Sequence, residues 1–275
     1  MGKFEGILIC TDLDGTLLNS GKEISAGNRA AIEYFKAEGG LFTFVTGRMP
    51  STSVYIYETI QPNAPFGCIN GGGLYDYRRQ EFLWAAELPR EALELVDSVD
   101  RELPGIGIQV NTTQAIYFNK YNPAMVRFRE VTGLPDIRCH YREVQEPLAK
   151  VVFGEDDEET LFALMRLLHE HPKAGRFDFI RSERNLYEIL PKGISKGTAV
   201  QKLTELLGLD PAKTIAIGDY DNDVAMIRTA GLGCAVANAS AAAKEAADYI
   251  TVSNDEDAIA VLIEALDRGA IILGS

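Results

Sequence analysis

Short apolar runs alternate with amphipathic segments in the first quarter of the chain. Three of the runs have the continuous apolar character of strands buried on both faces of a sheet: residues 6–11, 41–45 and 66–70. A helix is predicted between the first two, with Ser25 as its N-cap and Gly39-Gly40 at its end, and a second helix is predicted around Tyr55. This order of strands and helices predicts a parallel sheet with helices on both faces.

The pattern changes in the middle of the chain. Residues 74–84 predict a hairpin at the edge of the parallel sheet. Two helix–strand–strand units are then expected, with helices starting at Pro89 and after the acidic run 155–159 and a further short helix over 123–131. Their strands are predicted at residues 107–110, 115–119, 150–154, 176–180 and 186–190. These units predict an antiparallel sheet with helices on one face, inserted into the first domain as a second domain.

The alternating pattern resumes after Gly193. Strands are predicted at 214–218 and 233–236, and helices at 197–208, 223–230, 240–247 and 255–267. The expected fold class is therefore α/β. A Rossmann-like parallel-sheet core, with helices on both faces, is formed by residues 1–85 and 191–275, and residues 86–190 form an inserted α+β cap domain with an antiparallel sheet.

Composition narrows the possible partners. The 275 residues carry a net charge of −13, which argues against a nucleic-acid binder and against docking on anionic lipid. The four cysteines are scattered and form no CxxC pair, as expected of buried thiols in a reducing cytosol, so we expect a cytoplasmic protein. We expect no signal peptide, because Lys3, Glu5 and Asp12 interrupt the first apolar run, and no apolar stretch approaches the roughly 20 residues of a membrane span.

The first candidate site lies at the carboxyl end of the first predicted strand. Asp12 and Asp14 are two residues apart there and can face one site, and Gly15 permits a tight turn. Two adjacent carboxylates are costly unless a metal ion or a proton separates them, so we expect one to bind metal and the other to hold a proton at times. A calcium-binding loop is an alternative, because Glu23 also fits that spacing. Leu17 argues against it, because the loop requires glycine at that position.

Three further polar motifs follow strands of the same predicted sheet or begin helices that pack against it. Thr46-Gly47-Arg48 offers a hydroxyl and backbone N–H groups to a phosphate, or merely caps a helix. Lys196 stands at a helix N-terminus, where a cation is unfavourable unless it is solvated or binds an anion. Residues 218–223 hold three aspartates in five positions, which suits a divalent cation or a solvated turn. Together these are the parts of a phosphoryl-transfer site.

The sequences DLDGT, TGR, GISKG and GDYDNDVAM, in that order, resemble the four motifs of the haloacid dehalogenase-like hydrolase superfamily. The insertion resembles the cap of its Cof-type sugar-phosphate phosphatases, and the resemblance covers nearly the whole chain. It implies that Asp12 is the nucleophile, Asp14 the general acid and base, and Asp223 a residue that orients the site. It further implies Mg²⁺ held by Asp12, the Asp14 carbonyl and Asp219. The implied phosphate ligands are the Leu13 backbone, Thr46, Gly47, Lys196 and Asn222.

The expected function is hydrolysis of small phosphorylated metabolites, above all sugar phosphates, through an aspartyl-phosphate on Asp12. A sugar phosphomutase with the same nucleophile and a non-catalytic sensor of a phosphorylated ligand are the alternatives. Lys150, Arg181, Arg184 and Asn185 are polar cap residues that could contact the substrate or simply form an exposed surface. Nothing in the sequence indicates the oligomeric state.

Overall fold

A computed structural model of the protein describes residues 2–273. The chain divides into two compact units. One contains the chain up to Trp84 and from Ser195 onward, and we call it the core unit. The other is Ala85–Ile194, and we call it the cap unit.

The first part of the core unit contains five strands and two helices. Its α1 begins after Ser25, whose side chain accepts a hydrogen bond from the backbone N–H of Asn28 at 3.0 Å, as expected of an N-cap. The elements are β1 (Leu8–Thr11), α1 (Ala26–Ala37), β2 (Leu41–Phe44), α2 (Val54–Ile60), β3 (Phe66–Cys68), β4 (Gly73–Asp76) and β5 (Glu81–Ala85).

The cap unit follows with two helix–strand–strand units, between which lie one additional helix and one additional strand. Asp157, in the predicted acidic run, caps the second long helix by accepting from the backbone N–H of Thr160 at 2.8 Å. The elements are α3 (Ala92–Glu102), β6 (Gly107–Thr112), β7 (Ile116–Lys120), α4 (Pro123–Thr132), β8 (Leu148–Gly154), α5 (Glu158–Glu170), β9 (Phe177–Glu183) and β10 (Leu186–Pro191).

The rest of the core unit alternates helices and strands. Its last strand has only two residues, which explains why no apolar run predicts it. The elements are α6 (Lys196–Leu207), β11 (Thr214–Gly218), α7 (Val224–Thr229), β12 (Leu232–Ala235), α8 (Ala241–Ala246), β13 (Tyr249–Ile250) and α9 (Ala258–Asp267).

Five strands form the parallel sheet of the core unit, in the order β13-β12-β11-β1-β2. Leu8 and Cys10 of β1 pack with residues of α6 and α7 in one apolar cluster. Ile9, which points to the opposite face, is also fully buried. The central strand is therefore buried on both faces, as its continuous apolar run predicts, and the α/β fold class is confirmed.

The predicted hairpin is formed by β4 and β5, which join the β2 edge of the parallel sheet through β3. The strands β3, β4 and β5 form a separate three-stranded sheet, and β3 meets the parallel sheet through an isolated parallel bridge between Val45 and Gly67. The predicted strand 66–70 stops at Cys68, because Ile69 and Asn70 have φ angles of 57° and 52°. Such positive values leave the extended conformation and turn the chain at the end of β3.

The cap unit contains an antiparallel sheet of five strands in the order β7-β6-β8-β10-β9. Apolar residues of α3 and α5 pack in one cluster with Ile108, Val110, Val151, Phe153, Tyr187 and Ile189 of the three central strands. These sheet residues alternate along their strands, so they lie on one face. The predicted antiparallel sheet is confirmed, and its other face is free of α3 and α5.

Among residues 2–273, no helix is both long and apolar enough to cross a membrane.

Candidate active site

Two aspartates lie side by side at the carboxyl edge of the parallel sheet. Asp12 directly follows β1 and Asp219 directly follows β11, and these two strands are hydrogen-bonded neighbours. The backbone N–H of Asp12 donates to the carbonyl oxygen of Ile217 at 2.8 Å, which extends the pairing to the end of β1. Parallel strands thus bring together two acidic residues that are far apart in the sequence.

Lys196 pairs with two carboxylates. It is the first residue of α6 and only 1% exposed. Its Nζ donates to Oδ1 of Asp12 and to Oδ1 of Asp223, both at 2.5 Å. Burial acts to lower the pKa of Lys196, but the two carboxylates outweigh it and raise that pKa above its ordinary value. A buried ammonium at a helix N-terminus is stable here because anions surround it.

Asp223 fixes the turn after β11. Its Oδ2 accepts hydrogen bonds from the backbone N–H groups of Asp219 and Tyr220, both at 2.9 Å, while its Oδ1 accepts from Lys196. Both of its oxygens are therefore engaged by donors within the protein. This bonding suits a residue that orients the site, as the resemblance implied, better than a residue that binds a ligand directly.

The carboxylates of Asp12, Asp219 and Asp223 form a cluster in which one oxygen of each lies within 4.8 Å of the others. Burial, together with the charge of Asp223, raises the pKa of Asp12 well above its ordinary value, although Lys196 opposes this. Burial and the charge of Asp223 also raise the pKa of Asp219 to about 6. Three carboxylates facing one ammonium leave excess negative charge. Since Mg²⁺ prefers oxygen ligands, this cluster fits a divalent cation.

Gly15 and Thr16 bring the loop after β1 against Asp219. The φ angle of Gly15 is 87°, and a Cβ atom there would lie 2.5 Å from Oδ2 of Asp219, so only glycine fits. The hydroxyl of Thr16 donates to Oδ1 of Asp219 at 2.8 Å. The DLDGT sequence therefore positions Asp219 as well as supplying its own two aspartates.

The Asp14 carboxylate lies outside the three-aspartate cluster and is paired with cations. Arg48 binds it through two hydrogen bonds, and Nζ of Lys22 lies 3.0 Å from its Oδ1. Burial acts to raise the pKa of Asp14, but the hydrogen bonds and charges of Arg48 and Lys22 outweigh it and hold this pKa below its ordinary value. Asp14 is therefore an ionised carboxylate in this arrangement. Glu23 is exposed and away from the cluster, so the calcium-loop alternative gains no support.

The predicted phosphate ligands lie in connected loops. Thr46 follows β2, the other neighbour of β1, and its buried Oγ1 accepts from the backbone N–H of Arg48 at 3.2 Å. A Cβ atom on Gly47 would lie 2.9 Å from Oδ1 of Asn70, and the same Oδ1 accepts from Nδ2 of Asn222 at 3.0 Å. Asn70 thus links the loop after β2 to the loop after β11.

Leu13 can offer only its backbone to a ligand. Its side chain is fully buried, and its carbonyl oxygen accepts from the backbone N–H of Leu18 at 2.8 Å. The backbone N–H of Leu13 is the group that the resemblance assigns to phosphate.

Comparison with known proteins decides the family. Residues 9–263 match the haloacid dehalogenase-like hydrolase family. The chain belongs to this family. The same motifs predicted the family from the sequence, and that prediction is confirmed. Haloacid dehalogenase-like hydrolases generally use a divalent metal ion, which agrees with the aspartate cluster.

Individual relatives agree with this assignment. The Bacillus subtilis protein YxeH, named as a candidate phosphatase, is 33% identical over 279 residues, which cover 94% of this chain and 97% of YxeH. The 5-amino-6-(5-phospho-D-ribitylamino)uracil phosphatase YcsE of the same organism is 31% identical over 258 residues, covering 93% of this chain and 94% of YcsE. A haloacid dehalogenase-like hydrolase from Bacteroides thetaiotaomicron has a similar structure, with a TM-score of 0.81 and 30% identity over 95% of this chain and 98% of that one. These relatives support the predicted enzyme class, a phosphoric monoester hydrolase.

Sequence reasoning missed three residues that position this hydrolase site. The sequence motif Thr46-Gly47-Arg48 predicts no role for the Arg48 side chain, although this side chain binds Asp14. Asn70 lies in the predicted strand 66–70, whereas the structure places it two residues after the end of β3. Asn238 donates from Nδ2 to the carbonyl oxygen of Gly15 at 2.8 Å, and no local pattern indicates that contact.

Proposed function

We propose that this hydrolase is a magnesium-dependent phosphatase that transfers a phosphoryl group to Asp12 and then to water. The observation that carries the proposal is the position of Asp12 between a buried cation, Lys196, and a second strand-end carboxylate, Asp219. A carboxylate nucleophile needs positive charge nearby, because a phosphate monoester is itself an anion. Lys196 supplies one such charge at 2.5 Å.

The remaining charge would come from Mg²⁺ held by the carboxylates of Asp12 and Asp219 and by the carbonyl oxygen of Asp14. When bound, the ion would neutralise carboxylate charge and charge on the phosphate oxygens. The support for this ligand set is that Asp223, the third member of the cluster, already accepts hydrogen bonds on both oxygens. Asp12 and Asp219 are then the carboxylates that remain for the metal.

In the first step, a carboxylate oxygen of Asp12 attacks phosphorus and the bond from phosphorus to the leaving oxygen breaks. A protonated Asp14 gives its proton to that oxygen. In the second step, Asp14 takes a proton from a water molecule, which attacks phosphorus and releases Asp12 and inorganic phosphate. Since Arg48 keeps Asp14 ionised, the acid role requires Asp14 to leave Arg48, whereas the ionised state suits the base role.

The phosphate oxygens would be bound by the backbone N–H of Leu13, by Thr46 and Gly47, and by Lys196 and Asn222. The hydrogen bond between Asn222 and Asn70 supports this set, since it fixes the amide of Asn222 beside the Thr46–Gly47 loop. Such fixed donors stabilise the transition state without reorganising during the reaction.

The proposed substrates are small phosphorylated metabolites, above all sugar phosphates. YcsE, the relative that is 31% identical over 93% of this chain, is named for a substrate with a phosphorylated ribityl group. That name supports a polyhydroxylated phosphate ester as the substrate class here.

Hydrolysis of p-nitrophenyl phosphate by the purified protein tests the proposal. We expect activity with Mg²⁺, no activity in excess chelator, and a loss of roughly a thousandfold or more in kcat for Asp12→Asn. Asp221→Asn is the matched control, because Asp221 is exposed in the same turn as Asp223 and lies outside the cluster. Full activity in chelator, or activity retained by Asp12→Asn, would refute the proposed mechanism.

A further inference from the structure

A three-residue segment after β12 contacts both loops that contain the proposed magnesium ligands. Nδ2 of Asn238 donates to the carbonyl oxygen of Gly15, in the loop after β1, at 2.8 Å. The backbone N–H of Ser240 donates to the carbonyl oxygen of Asp219, in the loop after β11, also at 2.8 Å. This segment therefore joins the two loops, and all of these residues belong to the core unit.

A second asparagine holds the carboxamide of Asn238 in place. The backbone N–H of Asn254 donates to Oδ1 of Asn238 at 3.0 Å, and Nδ2 of Asn254 donates to the carbonyl oxygen of Leu18 at 2.9 Å. Asn254 is 8% exposed, so its bond to Leu18 is largely shielded from water. Two carbonyl groups of one turn, those of Gly15 and Leu18, are thus bound by two asparagines that are also bonded to each other.

The turn over residues 15–18 depends on such contacts because it begins with a glycine. The φ angle of Gly15 is 87°, a region that glycine can both adopt and leave at little steric cost. The peptide group whose carbonyl Asn238 binds directly follows the peptide group that carries the carbonyl of Asp14, the proposed metal ligand. A hydrogen bond that fixes the one peptide group therefore limits the orientations of the other.

On the basis of the proposed magnesium-dependent function, we propose that Asn238, held by Asn254, is a positioning residue that sets the affinity of the site for Mg²⁺. It fixes the turn after β1 relative to Asp219 before the ion binds, so that binding need not order a flexible glycine turn. A carboxamide suits this role because it both donates to a carbonyl oxygen and accepts from an N–H. A carboxylate would have no donor for the carbonyl oxygen of Gly15.

Isothermal titration of the full-length protein with Mg²⁺, without substrate, tests this role. Asn238→Ala should raise the dissociation constant about fivefold, which corresponds to about 1 kcal/mol, the usual net contribution of one hydrogen bond. Asn254→Ala should raise it by a similar factor, because it removes the bond to Leu18. In hydrolysis of p-nitrophenyl phosphate, the Mg²⁺ concentration that gives half the maximal rate should rise to the same extent. The kcat at saturating Mg²⁺ should stay within about twofold of the wild-type value.

Asn63→Ala is the matched control. Asn63 also accepts from a backbone N–H, that of Phe42 at 2.8 Å, and also donates to a carbonyl oxygen, that of Gly40 at 2.9 Å. These contacts lie at the amino end of β2, whereas the proposed metal ligands follow the carboxyl ends of their strands. This variant should lower the melting temperature of the metal-free protein and leave the dissociation constant for Mg²⁺ unchanged. Because Asn238 is exposed, its replacement should change that melting temperature little.

An unchanged dissociation constant in Asn238→Ala would overturn the inference. Equal increases in Asn238→Ala and Asn63→Ala would also overturn it, since they would reflect a general loss of stability. A fall in kcat that persists at saturating Mg²⁺ would overturn it as well, because the loss would not act through the metal ion. If the wild-type protein binds no Mg²⁺, the magnesium-dependent function itself fails, so the wild-type titration distinguishes the two failures.

Discussion

Arg48 binds the carboxylate of Asp14 through two hydrogen bonds, from Nε to Oδ2 at 2.9 Å and from Nη2 to Oδ1 at 2.8 Å. The pair joins the loop after β2 to the loop after β1, and both side chains are about three-tenths exposed, at 30% and 28%. Paired in this way, Asp14 has a pKa below its ordinary value and is ionised near neutral pH. Arg48 therefore holds Asp14, the proposed general acid, in the ionised form that acts as a base.

A double-mutant cycle of Arg48→Met and Asp14→Asn should show coupling of about 1–2 kcal/mol in the free energy of unfolding near neutral pH. Because folding lowers the pKa of Asp14, this stabilisation is present above the unfolded-state pKa of about 3.9 and is lost as the pH falls through the folded-state pKa. Urea unfolding of the metal-free proteins at several pH values measures it. Coupling that is absent at neutral pH, or that grows as the pH falls, would contradict the pairing.

The substitution Asp14→Asn should reduce activity more on alkyl phosphates than on aryl phosphates. A phenolate is a good leaving group and needs little protonation, whereas an alkoxide needs a proton from the general acid. We expect kcat for a sugar phosphate to fall at least about tenfold more than kcat for p-nitrophenyl phosphate. Equal losses on the two classes of substrate would assign Asp14 a structural or metal-binding role instead.

Magnesium binding should weaken as the pH falls through about 6. Burial and the charge of Asp223 raise the pKa of Asp219 to about 6, and a protonated carboxyl is a poor ligand, so binding must release a proton below that pH. The raised pKa also means that protonation stabilises the metal-free fold at low pH, and this stabilisation is lost as the pH rises through about 6.

The rise in melting temperature caused by saturating Mg²⁺ should therefore be larger at about pH 7.5 than at about pH 5. Asp219→Asn should abolish most of the rise at both values, while the control Asp221→Asn should keep it. A rise in melting temperature that does not depend on pH would show that no titrating carboxylate binds the ion.

Asn70 should be tested with glycine and alanine in parallel. Its backbone has a φ angle of 52°, its side chain is fully buried, and its Oδ1 accepts from Asn222. Either substitution removes the contact with Asn222 and should raise KM for p-nitrophenyl phosphate. The alanine variant should also be less stable than the glycine variant by about 1 kcal/mol, because alanine is strained at positive φ. Equal free energies of unfolding of the two variants in urea would show that the positive φ angle at residue 70 does not destabilise the alanine variant.

The sequence predicted the elements whose pattern is local. The apolar runs that became β1, β2 and β11 have clear boundaries, and the carboxyl ends of neighbouring parallel strands necessarily share an edge. That geometry brings Asp12 beside Asp219, so the acidic part of the site could be anticipated. The antiparallel sheet of the cap unit was predicted for the same reason, since each of its strands has its own apolar run.

Features that depend on long-range contacts could not be predicted. Asn70 lies at the end of a predicted strand, but its backbone has a positive φ angle and turns the chain. The residue type alone does not indicate that turn. The pairing of Arg48 with Asp14 joins two loops, which no periodicity encodes. Gln109 and Asn111 look in the sequence like the solvent-facing positions of a strand. Only strand register and burial show that both are buried, and that Oε1 and Nε2 of Gln109 and Oδ1 of Asn111 have no hydrogen-bond partner.

Detection of a phosphoryl group on Asp12 is the most direct test of the central claim. With p-nitrophenyl phosphate, whose leaving group needs little protonation, Asp14→Asn should still form the intermediate and should accumulate it, because it lacks the base that activates water for the second step. After acid quench during turnover with Mg²⁺, mass spectrometry of the peptide that contains Asp12 should find a phosphoryl adduct. Borohydride should reduce the modified residue to homoserine, and Asp12→Asn should show neither product. Continued hydrolysis without any adduct at Asp12, or an adduct on another residue, would contradict the account.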